Sequence, residues 1–206
     1  MGNPYAVTKQ LEEELCNYTG SRYAVAVNSC SAALLLSLLW WKHRHVVPEC
    51  KEPTVVLPRR TYVSVACSAK QAGYRIEWQD RDWSGAYQLG FTTVFDSARR
   101  FTSGMFIPST FQCVSFSTSK ILGDEQGGAI LHDNEEADKW FRKARFDGRT
   151  EGVDPKEDTF DLIGHHCLMT PSVSARLLLK LYHLPKHNAD LGHYDYPDLS
   201  KHPAFK

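Results

Sequence analysis

A short apolar run, a polar turn and a leucine-rich stretch follow one another between Tyr23 and Lys42, and this order restricts the fold more than any other feature. Tyr23-Ala-Val-Ala-Val27 has the β-branched and small residues of a buried strand. Asn28-Ser-Cys-Ser31 breaks the run, and Ala32 to Lys42 reads as a helix. Strand, turn and helix in that order open a βαβ unit, whose sheet must be covered by helices.

The alternation continues on both sides. Leu11, Leu15 and Tyr18 recur at helical spacing in an acidic segment that stops at Gly20. Val55 to Leu57 centre a second strand closed by Pro58, and a helix over Tyr62 to Ala72 ends at Gly73. Arg75 to Trp78 form a third strand, and Thr92 to Phe95 a fourth that ends at Asp96. Cys113 to Phe116 and Ala129 to Leu131 are strands on either side of Lys120. Glu135 to Arg145 is a helix with Trp140 and Phe141 inward, and Val173 to Leu184 is the last helix. The pattern predicts a three-layer α/β/α domain with a mostly parallel sheet over residues 1–184, and an extended tail over 185–206.

Composition narrows the function classes. The chain has 206 residues, 42% of them hydrophobic, enough for a packed core. Lys plus Arg and Asp plus Glu number 24 each, so the basic excess of a nucleic-acid binder is absent. Met1 to Tyr18 lacks the basic start and apolar stretch of a signal peptide. The longest apolar run, Ala32 to Trp41, is interrupted by Ser37 and is far shorter than the roughly 20 residues a bilayer needs. A soluble, cytoplasmic protein is expected. Cys16, Cys30, Cys50, Cys67, Cys113 and Cys167 contain no C-x-x-C pair and read as reduced thiols. His165-His166-Cys167 and the pair His183 and His187 lack acidic partners, so no metal is expected.

Ligands of such sheets bind at the carboxyl ends of strands, and the polar residues gather there. Ser29-Cys30-Ser31 precedes a helix, whose free N–H groups and positive dipole end favour a phosphate. Asp96 ends an apolar strand, where a carboxylate can face a pyridine nitrogen. Ser115 and Ser117 approach Lys120, and Gly123, Gly127 and Gly128 permit a tight backbone after it. Tyr62 opens a helix and can lie over a ring. These are the parts of a Schiff-base cofactor site. Singly, each has a plainer reading: Asp96 as a turn residue, Lys120 as a solvated loop lysine, Ser29 to Ser31 as a helix cap.

In their joint order these residues resemble the DegT/DnrJ/StrS family of fold-type I sugar aminotransferases. Ser115-Phe-Ser-Thr-Ser-Lys-Ile-Leu-Gly-Asp-Glu-Gln-Gly-Gly128 is similar to the family's Schiff-base lysine segment. Phe95-Asp-Ser-Ala98 resembles its acidic strand end, and Val27-Asn-Ser-Cys-Ser-Ala-Ala-Leu34 its phosphate turn, with Cys30 and Ser31 where glycine and threonine are usual. Leu57-Pro-Arg-Arg-Thr-Tyr-Val63 resembles the segment that sets an aromatic ring on the cofactor, and Arg145 to Gly148 resembles an arginine-to-glycine turn. In Gly164-His-His-Cys-Leu-Met169, His166 stands where an asparagine usually reaches the partner subunit's phosphate.

The resemblance implies the fold-type I large domain, pyridoxal 5'-phosphate held by Lys120, and a homodimer with shared active sites. It implies transfer of an amino group from glutamate or glutamine to a keto sugar carried on a nucleotide. Lys120 would also shuttle a proton. Asp96 would pair with the ring, and Cys30, Ser31, Tyr62, Arg99, Ser115, Ser117 and His166 would surround the cofactor.

Three departures bear on that implication. Trp83 to Phe91 is too short for the helix, strand and helix usual there, since a crossover needs at least about 10 residues. The family's small C-terminal domain, which helps close over substrate, has no counterpart after Leu184. Arg99 replaces a neutral or imidazole side chain. These losses keep two alternatives open: another pyridoxal-phosphate reaction, such as decarboxylation, elimination or isomerisation, or a non-catalytic dimerising paralogue.

Overall fold

The computed structural model describes residues 3–45, 52–192 and 194–205; Cys50 and His193 lie outside them. Five helices are present: α1 (Ala6–Thr19), α2 (Cys30–Arg44), α3 (Val63–Gln71), α4 (Glu135–Ala144) and α5 (Pro171–Tyr182). Seven strands accompany them: β1 (Tyr23–Val27), β2 (Thr54–Pro58), β3 (Arg75–Gln79), β4 (Tyr87–Gln88), β5 (Val94–Asp96), β6 (Phe111–Ser115) and β7 (Gly128–His132). Helix α1 ends where the sequence places its stop. Gly20 takes a left-handed φ of 82° and donates its N–H to the Cys16 carbonyl.

Alternate residues of the strands feed two apolar layers. Val25, Val27, Cys113 and Ile130 face α2, α3 and α4. Ala24, Ala26, Val114, Ala129 and Leu131 face α1 and α5. The three-layer α/β/α arrangement follows from this period of two. Phe141 in the first layer and Phe116 in the second are fully buried, each stabilising by roughly 2–3 kcal/mol.

Strand direction differs from the sequence expectation. The main sheet runs β1-β7-β6-β5-β4, and of its four pairings β5 with β6 alone is parallel. The expected mostly parallel sheet is therefore corrected to a mixed, mostly antiparallel one. Parallel neighbours need a long crossover, usually helical. That condition is met between β2 and β3, which α3 links in parallel. Residues 116–127, between β6 and β7, carry no helix and return the chain antiparallel. The link of residues 83–91 does not cross over at all. It forms β4, turns at Phe91 (φ 67°) and pairs antiparallel with β5.

The same link joins the two sheets. Gly90 donates to the Val56 carbonyl at 3.0 Å and accepts from the Val56 N–H at 3.3 Å. A side chain at position 90 would place its Cβ 2.6 Å from Val56 Cβ, so this approach requires glycine.

At the other edge, β1 is protected by side chains. Glu12 accepts from the Ala26 N–H at 2.9 Å, and Arg145 donates to the Ala26 carbonyl at 2.7 Å. Arg145 also pairs with Glu12 and, at 2.7 Å, with Glu151. The arginine-to-glycine turn thus ties α1, β1 and α4 together and partners both backbone polar groups of Ala26 on the outer edge of β1.

Residues after α5 fold back on the domain. Ser103 donates to the Lys186 carbonyl, Leu191 to the Arg99 carbonyl and Leu199 to the Arg59 carbonyl. Two 3-10 turns, Leu199–Lys201 and Pro203–Phe205, bury Leu199 and Phe205 in the α2 and α3 layer. Among the described residues no helix is long and apolar enough to cross a membrane.

Candidate functional site

A cavity of about 590 Å³ opens at the carboxyl ends of β5 and β6, between the start of α2, residues 117–127 and the C-terminal segment. Its size suits a cofactor or small ligand. Cys30, Ser31, Tyr62, Asp96, Arg99, Ser115, Ser117 and Lys120 all line it. His166 does not. It is exposed and its Nδ1 lies 2.9 Å from Asp147 Oδ2.

The start of α2 is built for close approach. Ser29 caps the helix by accepting from the Ala32 N–H at 3.1 Å. The first-turn amides of Cys30 and Ser31 have no carbonyl within the helix to meet. Ser31 Oγ is 2.7 Å from Ser64 Oγ, which brings α3 to the same wall. Gly128 makes this packing possible. A Cβ there would stand 2.5 Å from the Cys30 nitrogen and 2.6 Å from the Ser29 carbonyl carbon.

Lys120 sits on a tight turn, its N–H bonded to the Ser117 carbonyl at 2.9 Å. The rest of that loop is pinned by Asp124, which is buried and held by Arg176 at 3.0 Å and Lys180 at 3.3 Å from α5. Burial pushes the Lys120 amine below its ordinary pKa, and the positive charge of Arg99 adds to this; Asp96 acts in the opposite direction. More of the amine is then unprotonated near neutrality, the form that attacks a carbonyl.

Asp96 is 3% exposed. Burial raises its pKa, against a hydrogen bond from the Ala98 N–H (2.9 Å), contact with the Tyr87 hydroxyl and the charge of Lys120. A buried carboxylate of this kind gains most from a cationic partner. Cys30 carries a thiol pushed far up by burial and by Asp96, so it is a neutral wall and not a nucleophile.

The far wall was not legible in advance. Trp83, Leu191, Gly192, Tyr194 and Tyr196 line the cavity. Trp83 stacks on Tyr196 (6.1 Å, 8° between planes), and Tyr62 meets Tyr196 edge-on at 6.3 Å. Arg99 explains its own presence here. Its guanidinium donates to the carbonyls of Leu191 (3.4 Å) and Gly192. Arg100 binds Asp190 through two bonds of 2.9 and 2.6 Å. In sequence Trp83 has only a place at the start of a short link, and the tail an extended course. The clustered tyrosines 194 and 196 were the available signal.

Comparison with known proteins bears on the family and the fold. A model of the DegT/DnrJ/EryC1/StrS aminotransferase family matches residues 2–84. No curated protein matches the sequence. Among solved structures, GDP-4-keto-6-deoxymannose-3-dehydratase, determined with a trapped PLP–glutamate geminal diamine, superposes with a TM-score of 0.72 at 20% identity. That match covers 90% of this chain and 62% of the other. Helicobacter pylori PseC, an aminotransferase involved in the biosynthesis of pseudoaminic acid, gives 0.71 at 16% identity over 89% and 58%. A DegT DnrJ EryC1 StrS aminotransferase from Brucella abortus gives 0.69 at 17% over 87% and 59%. The chain thus spans about three fifths of each of these proteins. By sequence over residues 2–84 and by fold over most of its described length, the chain resembles the DegT/DnrJ/EryC1/StrS aminotransferases.

Proposed function

We propose that this protein is a pyridoxal-5'-phosphate-dependent aminotransferase of the sugar-modifying kind. The observation that carries the reading is the convergence of Lys120, Asp96 and the start of α2 on one cavity. When bound, pyridoxal phosphate supplies an electron sink for bonds at the carbon bearing an amine. The residues present fit that group. The free amides of Cys30 and Ser31, with Ser115 and Ser117, suit its phosphate. Asp96 suits a protonated ring nitrogen, and Tyr62 supplies an aromatic face. Lys120, its pKa lowered, holds the carbonyl carbon and carries a proton to and from substrate.

The donor is glutamate or glutamine and the acceptor a keto sugar on a nucleotide, as the resemblance implies. Residues of the segment after α5, Leu191, Gly192, Tyr194 and Tyr196, supply a wall of the site. Phe160, Ile163 and His166, close together in sequence, are all exposed, which supports a homodimer in which His166 reaches the partner's phosphate. Unpaired thiols at Cys16, Cys30, Cys67, Cys113 and Cys167 support a cytoplasmic setting.

A visible absorbance spectrum with added pyridoxal phosphate, before and after glutamate, tests this. Binding should give a visible band that glutamate bleaches, and Lys120→Ala should lack it. A protein that stays colourless at saturating cofactor overturns the reading. A second reading, elimination from a sugar, is favoured by the similarity to a sugar dehydratase and by the cation Arg99 beside Lys120. Bleaching by glutamate followed by amine transfer to a keto sugar would exclude it.

A further inference from the structure

One buried polar side chain beside the cavity has no part in the roles assigned above: Tyr87 on β4. Tyr87 stands directly opposite Asp96 in the antiparallel register of β4 and β5. Side chains of directly opposed residues project from the same face of an antiparallel pair. Both are buried, Tyr87 to 5% exposure. The Tyr87 hydroxyl lies 2.5 Å from Thr61 Oγ1, and Thr61 is fully buried. A phenol has one proton to give, whereas a threonine hydroxyl both donates and accepts. A carboxylate accepts only, so donation from Tyr87 to an ionised Asp96 requires Thr61 to be the donor in its contact with Tyr87. The contact with Tyr87 favours the ionised carboxylate, against the burial that disfavours it. The side-chain hydrogen bond that Asp96 receives among the described residues comes from the Ala98 N–H, which reaches Oδ1, and the Tyr87 hydroxyl faces the same buried carboxylate from the opposed strand position.

We propose that Tyr87 is a positioning residue for Asp96, donating a hydrogen bond that keeps the carboxylate ionised and aimed at a cationic ring nitrogen. The strand that carries it exists because the link of residues 83–91 is too short for a crossover. The part concerning the ring nitrogen rests on the cofactor reading above; the pairing of Tyr87 with Asp96 does not.

Tyr87→Phe keeps the ring against Trp83, 4.7 Å away, and removes the hydroxyl alone. In the cofactor-free protein, a carboxyl carbon NMR titration should show the Asp96 midpoint moving up in this variant, with Asp96→Asn supplying the assignment. With pyridoxal phosphate, Tyr87→Phe should weaken binding by about tenfold, as expected for a hydrogen bond to a charged group. The same substitution in an Asp96→Asn background should change binding little. Thr61→Val, which leaves the phenol in place, should shift the Asp96 midpoint in the same direction by less, and it serves if Tyr87→Phe does not fold. An unchanged Asp96 titration overturns the inference, as does an equal loss of binding in the Asp96→Asn background. If wild type binds no cofactor, the function fails and the titration still decides the pairing.

Discussion

The two walls of the cavity are made in different ways. On one side, the start of α2, the end of β5 and the Lys120 loop are held by backbone contact. Gly128 lets two main chains touch, and Asp124 is clamped from α5. On the other side, Trp83, Leu191, Gly192, Tyr194 and Tyr196 are held by the Arg99 and Arg100 side chains and by stacked rings. The groups that carry chemistry sit on the first wall, where position is over-determined. The second wall is an arrangement of partly exposed contacts, the kind that opens locally at small cost.

The sharpest way to break the contrast is Gly128→Ala. The added carbon meets backbone atoms of Ser29 and Cys30, which cannot rotate away. Denaturant unfolding should show a loss of roughly 3 kcal/mol, at the upper end for overpacking. A loss under 1 kcal/mol would mean that the α2 contact is looser than its distances indicate.

The sheet also carries an acid response, apart from either wall. His132 on β7 is buried among Tyr23, Phe111 and Phe141, and burial lowers its pKa from 6.5 to about 4. Between those values the unfolded chain binds the proton and the folded chain does not. Stability is therefore complete above pH 6.5 and falls as pH drops toward 4. The loss reaches about 3 kcal/mol at the acid end. Unfolding curves at stepped pH should show this slope, and His132→Leu should flatten it. A slope unchanged in the variant would assign the acid response to other groups, such as Glu12, whose pKa is lowered by Arg145 and Arg142 against the opposing effect of burial.

What could be read in advance divides along the same line. Periodicity and stop signals located every helix and all strands but β4, because Val25, Ile130 and Leu177 face layers whose spacing sequence records. The residues around Lys120 and Asp96 were legible because their order along the chain survives the shortening. Strand direction was not, since it depends on whether each connection can cross over, and residues 83–91 and 116–127 do not. β4 has two residues, below any periodic signal. The aromatic wall depends on the path of the tail, which is set by Arg99, Arg100 and Asp190 across 90 or more residues of chain. Nothing local in Tyr194 or Tyr196 encodes that path.

The second wall should yield to a milder change. Arg100 and Asp190 keep 36% and 23% side-chain exposure, so water screens much of their attraction. Arg100→Ala should cost about 1 kcal/mol or less. Its effect should appear as faster protease cleavage near residues 186–196, up to about fivefold, with almost no change in global unfolding. Equal losses in both measurements would show that the tail folds as one unit with the sheet and that the two walls are not distinct.

The smallest effect separates two roles of a single residue. Arg99 bonds tail carbonyls and, second to burial, lowers the Lys120 pKa. Arg99→Gln retains an amide donor for a carbonyl and removes the charge; Arg99→Lys retains the charge with a different fork. Removing the charge raises the Lys120 pKa, so at a given pH less amine is free to react. The rate at which Lys120 captures pyridoxal phosphate, followed by absorbance across neutral and alkaline pH, should shift to higher pH in Arg99→Gln and stay in place in Arg99→Lys. Cleavage in the tail should respond to Arg99→Lys more than the capture profile does. If both variants shift the profile alike, the charge is immaterial and Arg99 acts on Lys120 only by holding the tail against it.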